Sequence, residues 1–339
     1  MPLKNYQRSY QKLVAQRLSP DFSSAVAVVE APLPVPAPNQ LLIRNRFAGV
    51  NAGFDTLLCR GDVPTVSSAP PFDLGGEAVG IVEAVGPEVS GFKVGDPVAT
   101  LERGHGYRSY QVIQENLAIK IRAATPETLA LLSAGIPALV GLEKAGDMST
   151  EETVLITDAS GGIGHVAVQL AKLAGNYVIG TCGSPASAQL LQQLGCDRII
   201  NYRNESVQEV LRIECPEGIN LVFDCVGKRM FDTGIENLAV RGRFVVEGFL
   251  TEYGDQLEST LRPRIYQKLF WKSASVRGFW LPSYAEYIPA ARDRLLNMFY
   301  NNLLDIKVDA KVFRGIDSIP RAVSYLLSGL NAGKVVVEY

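Results

Sequence analysis

The sequence predicts a two-domain α/β protein, a β-rich domain followed by a doubly wound parallel sheet with helices on both faces. Three observations carry this. Residues 10 to 120 divide into short β-type runs punctuated by Pro and Gly, the pattern of a barrel-like β domain. From Thr125 onward, apolar strand runs alternate with runs of helical period, the pattern of a parallel sheet. The chain has 339 residues, of which 47% are hydrophobic and 20% charged, enough for two domains of ordinary size with a large core.

In the first region, SSAVAVVEAPLP and QLLIRNRFAGVNA are β-type runs. AVGIVEAVG and DPVAT flank a Gly- and Pro-rich turn, and SYQVI is a further strand. The run ATPETLALLSAGIPALVGLEKAG is helical in period, with Pro126 in its first turn. TVLITDA then reads as a buried strand, IGHVAVQLAKLAG as a helix and YVIGT as a strand. SPASAQLLQQLG reads as a helix with Ser184 as N-cap and Pro185 in the first turn. DRIINY, SVQEVLRIE, INLVFDCVG, FDTGIENLAV and GRFVVEGF continue the alternation. SASVRGFW adds a strand, and YAEYIPAARDRLLNMFYNNLL a long amphipathic helix. The tail, VDAKVFRGIDSIPRAVSYLLSGLNAGKVVVEY, loses the rhythm, and its last strands are assigned to the first domain. The expected division is therefore 1–124 with 303–339, and 125–302.

Composition excludes several roles. A formal net charge of -2 gives no electrostatic reason to bind nucleic acid. No apolar run of about 18 residues is clear of charges and strong breakers, so no membrane span is expected. The opening MPLKNYQRSYQKLVAQRL has no apolar signal core. It is basic and mildly amphipathic, which leaves organelle targeting as the alternative to a cytoplasmic location. Five cysteines, an odd number without a CxxC, read as reduced thiols.

The strongest local signal is TVLITDASGGIG, residues 153 to 164, followed by a helix. An apolar strand enters a turn of small residues, and a helix N-terminus follows. Such an N-terminus presents amide groups to a pyrophosphate, and small residues allow backbone and ligand to approach closely. Ala159 stands where the first glycine of GxGxxG would be, followed by Gly161 and Gly164, with Gly162 a further small residue. The next strand, YVIGTCGS, lacks the Asp or Glu that an NAD-selective site usually carries about 20 residues on. Ser184, Tyr202 and Arg203, with Arg198 nearby, are candidates to hold a 2′-phosphate, so NADP(H) is the expected cofactor.

On PPFDLGGEAVGIVEAVG, GFKVGDPVA, ITDASGGIGHVAVQLAKLAG, VIGTCGS and the terminal AGKVVVEY, the chain resembles the zinc-independent quinone oxidoreductase branch of the medium-chain dehydrogenase/reductase superfamily. The resemblance covers nearly the whole chain. It implies a GroES-like β-barrel domain on the substrate side, interrupted by a Rossmann NADP(H)-binding domain, with the cofactor in the cleft and a homodimer as the rule. It further implies direct hydride transfer to the 2-alkene bond of an α,β-unsaturated ketone such as a 15-oxo-prostaglandin, or reduction of a quinone. Either substrate is a small hydrophobic carbonyl compound. A catalytically idle NADPH-binding protein is the alternative from another class.

By the same resemblance, Ala159, Gly161, Ile163 and Gly164 match the pyrophosphate turn, and Gly183, Ser184 and Tyr202 the 2′-phosphate pocket. Cys225 matches the adenosine-side edge. Gly248 and Phe249, and Gly278 and Phe279, match strand ends near the nicotinamide. Asn331 matches a late cofactor contact, and Asn51 the asparagine facing the nicotinamide. Ser187 stands where close relatives carry a lysine, and Glu247 where they are usually apolar. No catalytic side chain is assigned. Leu57 and Leu58 occupy the stretch where some alkene reductases place a tyrosine, leaving Tyr107, Tyr253 and Tyr284 as candidates to line the substrate, with packing or a surface place the favoured reading of each.

Zinc-using relatives carry a cysteine and a GHE histidine. Here the text reads GVNAGFD and GGEAVG, with Gly76 before Glu77, so no metal is expected. His105 and His165 are the only histidines, and no GxSxG elbow accompanies them. Cys59 is read as a core residue, with a reactive loop thiol as the alternative.

Overall fold

The computed structural model describes residues 9–66, 69–252 and 264–339. The chain divides into two compact units. Unit 1 comprises Met1–Leu129, Asp309–Leu330 and Val335–Tyr339, and unit 2 comprises Ala130–Val308 and Asn331–Lys334.

Unit 1 holds the strands β1 (Ser9–Ala15), β2 (Val26–Pro32), β3 (Gln40–Gly49), β4 (Phe72–Asp73), β5 (Ala78–Val85), β6 (Pro97–Thr100), β7 (Tyr110–Gln114) and β8 (Ile119–Lys120). Unit 2 holds β9 (Thr153–Ile156), β10 (Tyr177–Cys182), β11 (Arg198–Asn201), β12 (Ile219–Asp224), β13 (Leu238–Val246) and β14 (Ser275–Gly278). The tail supplies β15 (Phe313–Arg314) and β16 (Val336–Glu338).

In unit 1, β1 pairs with β2 and β4, and the larger sheet runs β15-β16-β3-β5-β6-β8 with β7 also on β3. Two register shifts between β3 and β5 put the extra curvature of bulges into this sheet. The tail enters it through antiparallel pairing of Val336 with Gly49 and Glu338 with Phe47. One core cluster, including Leu13, Leu58, Leu74, Tyr107, Ile319 and Val335, packs the helices Ala52–Arg60 and Ile319–Leu327 onto this layer. A second cluster is made of Leu41, Ile43, Val82, Val98 and Ile113.

Unit 2 is a six-stranded parallel sheet in the order β11-β10-β9-β12-β13-β14. That is the doubly wound order, with the direction of winding reversing between β9 and β12. Its central strands, TVLI and INLVFD, are nearly unbroken apolar runs because both faces are covered. Ligands in such sheets lie beyond the carboxyl ends of the strands near that reversal.

Three elements differ from the sequence expectation. NAGFDTLLCRG forms the helix Ala52–Arg60, closed by Gly61 at φ 79°. Cys59 is therefore a helix residue, fully buried, and burial followed by the charge of Asp55 pushes its thiol up to about 12. The long helix expected from Tyr284 begins only at Ile288, after a tighter turn over Leu281–Tyr287, because Pro289 fits the first turn and not the interior. In FDTGIENLAV, the last three residues leave the helix Arg229–Glu236 and start β13. The helix Pro126–Ala145 is long and apolar enough to cross a membrane by length and composition, but 83% of its apolar window is buried inside the protein.

Candidate functional site

The glycine turn follows β9. Asp158 takes φ 48°, a left-handed conformation that Asp tolerates better than most residues, and turns the chain. Ala159 is fully buried, and its N–H donates to Thr181 O at 3.0 Å, tying the turn to β10. Gly161 N–H donates to Asp158 O at 2.9 Å. Gly164 opens the helix Gly164–Leu173 so close to the strand end that a Cβ would strike the Asp158 carbonyl oxygen and stand 2.7 Å from Ala159 Cα. Gly162 has ordinary room, its nearest neighbour being Lys334 Cδ at 3.5 Å. Ile163 is the N-cap residue and supplies no side-chain cap to the helix start. This is a small-residue cradle with a helix N-terminus above it, the arrangement that fits a pyrophosphate.

His165 holds the cradle from behind. The Lys307 N–H donates to its Nε2 at 3.0 Å, so Nε2 is unprotonated and Nδ1–H donates to Gly161 O at 2.9 Å. Burial lowers its pKa to about 4, outweighing the backbone hydrogen bonds that favour the charged form. Gln169, one turn on, donates to Asp305 O at 2.9 Å and accepts from Asp305 N–H at 2.7 Å. The imidazole also fixes the carbonyl of the second motif glycine.

Beyond β10, Gly183 lies under Tyr202: a Cβ there would collide with the phenol hydroxyl and stand 2.7 Å from its Cζ. Tyr202 is half exposed, at 49%. Ser184 caps the helix Pro185–Gln193, accepting from Ser187 N–H at 3.1 Å, and its hydroxyl donates to Ser187 Oγ at 2.9 Å. Ser187 is thus hydrogen-bonded to a residue of the candidate pocket, although it replaces a lysine in the family pattern. Arg203 is exposed, next to Tyr202. Arg198 is not available: it forms ion pairs with Glu205 at 2.7 Å and Glu214 at 2.8 Å.

Past β12, the buried Asp224 accepts from Thr157 Oγ1 at 2.6 Å and from the Val226 and Gly227 N–H groups at 3.1 Å each. These bonds hold the turn that carries Cys225, whose N–H donates to Thr157 Oγ1 at 2.9 Å. The Gly248 N–H donates to Asp224 O at 3.1 Å. Gly248, Phe249, Gly227 and Phe231 line a cavity of about 350 Å³ at this edge. Gly278 ends β14, and Phe279 is buried, its N–H donating to Val246 O at 2.9 Å and its ring lying 5.3 Å from that of Tyr284. Asn331 Nδ2 donates to Gly333 O at 3.1 Å, and Gly333 N–H donates to Ser160 O at 2.8 Å, which ties that segment to the glycine turn.

The structure therefore gathers Ala159, Gly161, Gly162, Ile163, Gly164, Gly183, Ser184, Tyr202, Cys225 and Gly248 along the carboxyl edge of one sheet. Asn51 belongs to unit 1, where it is the exposed N-cap of the helix Ala52–Arg60 and makes no side-chain cap bond. Tyr107 cannot line a substrate: it is fully buried and donates to Asp55 Oδ2 at 2.6 Å. Burial, then the Asp55 charge, raises its pKa. Tyr253 lies outside the described residues. Among the described residues no group of three His, Cys, Asp or Glu is placed to hold a metal ion.

Comparison with known proteins adds the following. The family model described as "Zinc-binding dehydrogenase" matches residues 162–297, and "Alcohol dehydrogenase GroES-like domain" matches 37–123. The chain is 41% identical to prostaglandin reductase-3 of Mus musculus, over 98% of this chain and 90% of that protein. It is 36% identical to a probable quinone oxidoreductase of Leishmania amazonensis, over 97% of this chain and 98% of that one. The solved structure of Escherichia coli quinone oxidoreductase complexed with NADPH superposes with a TM-score of 0.83 at 25% identity, covering 97% of this chain and 100% of that chain.

Proposed function

The chain belongs to the medium-chain dehydrogenase/reductase superfamily, in its zinc-independent quinone oxidoreductase and prostaglandin reductase branch, and on that premise we propose that it reduces the 2-alkene bond of α,β-unsaturated ketones with NADPH. It is a zinc-independent, NADP(H)-dependent oxidoreductase acting on enone- or quinone-type substrates. Within that range, the relative named prostaglandin reductase-3 supports an enone of the 15-oxo-prostaglandin kind.

The observation that carries the cofactor reading is the cradle at Gly161 and Gly164, followed by a β10 end that holds no acid. We assign the pyrophosphate to the amides of residues 161 to 164. The 2′-phosphate goes to Gly183, Ser184, Tyr202 and Arg203, and the adenosine edge to Cys225. Gly248, Phe249, Gly278, Phe279 and Asn51 are assigned to the nicotinamide half, and Asn331 to a late cofactor contact, on the family likeness. NADPH bound there supplies the hydride. The protein's part is orientation and exclusion of bulk water by apolar walls, and no side-chain acid is required of it. Residues 125–302 are read as the nucleotide-binding domain. Residues 1–124 and 303–339 are read as the substrate-side domain, its curved sheet as a GroES-like barrel. A homodimer and a reducing cytoplasmic setting complete the proposal; five cysteines outside any disulfide fit the latter.

Parallel NADPH-consumption assays with a 15-oxo-prostaglandin, a small enone and an ortho-quinone test the substrate reading. Turnover of the enones with a saturated ketone as product is expected. Turnover of the quinone alone would sink the alkene assignment and leave quinone reduction.

A further inference from the structure

The segment Asn331–Lys334 packs into unit 2 from the far end of the chain. Two backbone bonds fix it. Gly333 N–H donates to Ser160 O at 2.8 Å, inside the glycine turn, and Lys334 N–H donates to Lys307 O at 2.9 Å. Lys307 N–H in turn donates to His165, in the helix that follows the turn. Gly333, at φ 88°, permits the close pass, since a Cβ there would stand 2.5 Å from Lys307 O. This strap lays one side chain on the turn. Lys334 is only 8% exposed, and its stem runs over Gly162: a Cβ built on that glycine would stand 3.5 Å from Lys334 Cδ and 3.8 Å from its Cα. The ammonium lies two bonds beyond Cδ. Burying such a group is costly unless negative charge faces it.

We propose that Lys334 is a cofactor-binding residue whose ammonium meets the pyrophosphate of NADP(H) at the glycine turn. The proposal rests on the cofactor-site assignment above and adds a residue to it. A pyrophosphate bridge is doubly negative, and the helix N-terminus that receives it offers about half an elementary charge. The acid nearest the cradle opposes binding: the Asp158 carboxyl lies over Gly161, where a Cβ would stand 2.6 Å from its Cγ. Other cations of this edge have tasks elsewhere. Arg198 is paired with Glu205 and Glu214, and Lys307 Nζ with Asp305 at 2.6 Å. Arg203 is exposed beside Tyr202, at the end assigned to the 2′-phosphate. Lys334 is the cation whose stem lies on a motif glycine. Burial first, then Asp224, raises the Glu247 carboxyl after β13, and the Cys225 thiol and the charge of Lys334 oppose them. The ammonium thus acts toward the carboxyl edge of the sheet, where the cofactor is assigned.

The pyrophosphate is common to NADPH and NADH. Lys334 should therefore contribute affinity for both and leave the preference between them untouched, unlike Ser184 and Tyr202 at the 2′-phosphate.

The test uses the full chain and three ligands: NADPH, NADH and adenosine 2′-monophosphate, which has no pyrophosphate. Lys334→Met keeps the stem over Gly162 and removes the charge. Lys334→Arg keeps both, and a urea midpoint controls for the fold. In Lys334→Met the Kd of NADPH and of NADH, from nicotinamide fluorescence, should rise together by about 10- to 100-fold. Adenosine 2′-monophosphate, followed by calorimetry, should bind as to the wild type, and Lys334→Arg should regain most of the lost affinity. Lysine-selective NMR of the wild type needs no loss of charge. The Lys334 ammonium signal, assigned by its absence from Lys334→Arg, should shift with NADPH and NADH and stay still with adenosine 2′-monophosphate. Unchanged NADPH affinity in Lys334→Met would overturn the inference and leave the cofactor site standing. So would an equal loss of adenosine 2′-monophosphate binding, or an ammonium signal indifferent to NADPH. Absence of NADPH binding by the wild type would overturn the site assignment and the inference with it.

Discussion

Replacing Gly183 with Ala isolates the pocket expected to distinguish NADPH from NADH. The backbone tolerates the change, since Gly183 is not among the residues with positive φ. The new Cβ collides with the Tyr202 ring, 2.7 Å from Cζ. Tyr202 is 49% exposed, so its ring swings toward solvent at little cost, and global stability should change by no more than about 0.5 kcal/mol. The displaced hydroxyl can no longer serve the 2′-phosphate. A hydrogen bond to a charged group is worth about 1.5–3 kcal/mol, so the preference for NADPH over NADH should fall about 10- to 100-fold. Affinities for both cofactors by fluorescence titration, with a urea midpoint as control, give the answer. Tyr202→Phe, which keeps the ring and deletes the hydroxyl, should lose a similar part of the preference. Equal weakening of NADPH and NADH, or an unchanged ratio in both variants, would refute the reasoning.

Other outcomes follow from the same geometry. His165 is neutral in the fold, with its pKa lowered to about 4 from an ordinary 6.5. Its contribution to stability is complete above about pH 6.5 and is lost as pH falls toward 4, about 3 kcal/mol in all. His165→Phe should have a flatter stability profile than the wild type over that window in urea melts at several pH values; parallel profiles would contradict the assignment. Tyr107→Phe removes a donor from the buried Asp55 and should cost about 1–3 kcal/mol, read from the urea midpoint, while a shift below about 0.3 kcal/mol would show the bond to be incidental. Incubation with a strong chelator should leave turnover unchanged, because GVNAGFD and GGEAVG lack the cysteine and histidine that the zinc-using relatives carry there; activity lost to the chelator and restored by zinc would overturn that reading.

Much of the fold was legible because local rules and long-range packing agree. The central strands of unit 2, TVLI and INLVFD, are apolar runs, and Ser184 caps its helix as its position before Pro185 implies. The helix Ala52–Arg60 was not legible. Its first turn reads AGF, it is short, and tertiary burial of Leu58 and Cys59 carries it more than propensity does. The glycine turn was visible as a motif because its residues are contiguous. What surrounds it was not. Glu247 stood out in the sequence only as an acid at an apolar place; it follows β13, on the far side of β12 from the strand that enters the glycine turn. His165 was similarly opaque, since its partner Lys307 comes from the far end of the unit. Tyr107 packs in the core, the favoured reading of its place in the sequence, and only its partner Asp55 could not be read from a single chain of letters.

In the proposed reaction this protein delivers a hydride from NADPH to the alkene carbon of an enone without metal or side-chain acid. Reduction of an enone with NADPH deuterated at the transferring C4 position, followed by mass and NMR analysis of the product, tests it most directly. The account predicts one deuterium at the β-carbon, a saturated ketone, and an α-hydrogen drawn from solvent. Deuterium at the carbonyl carbon with the alkene intact would contradict it, as would consumption of NADPH with no deuterium in the product.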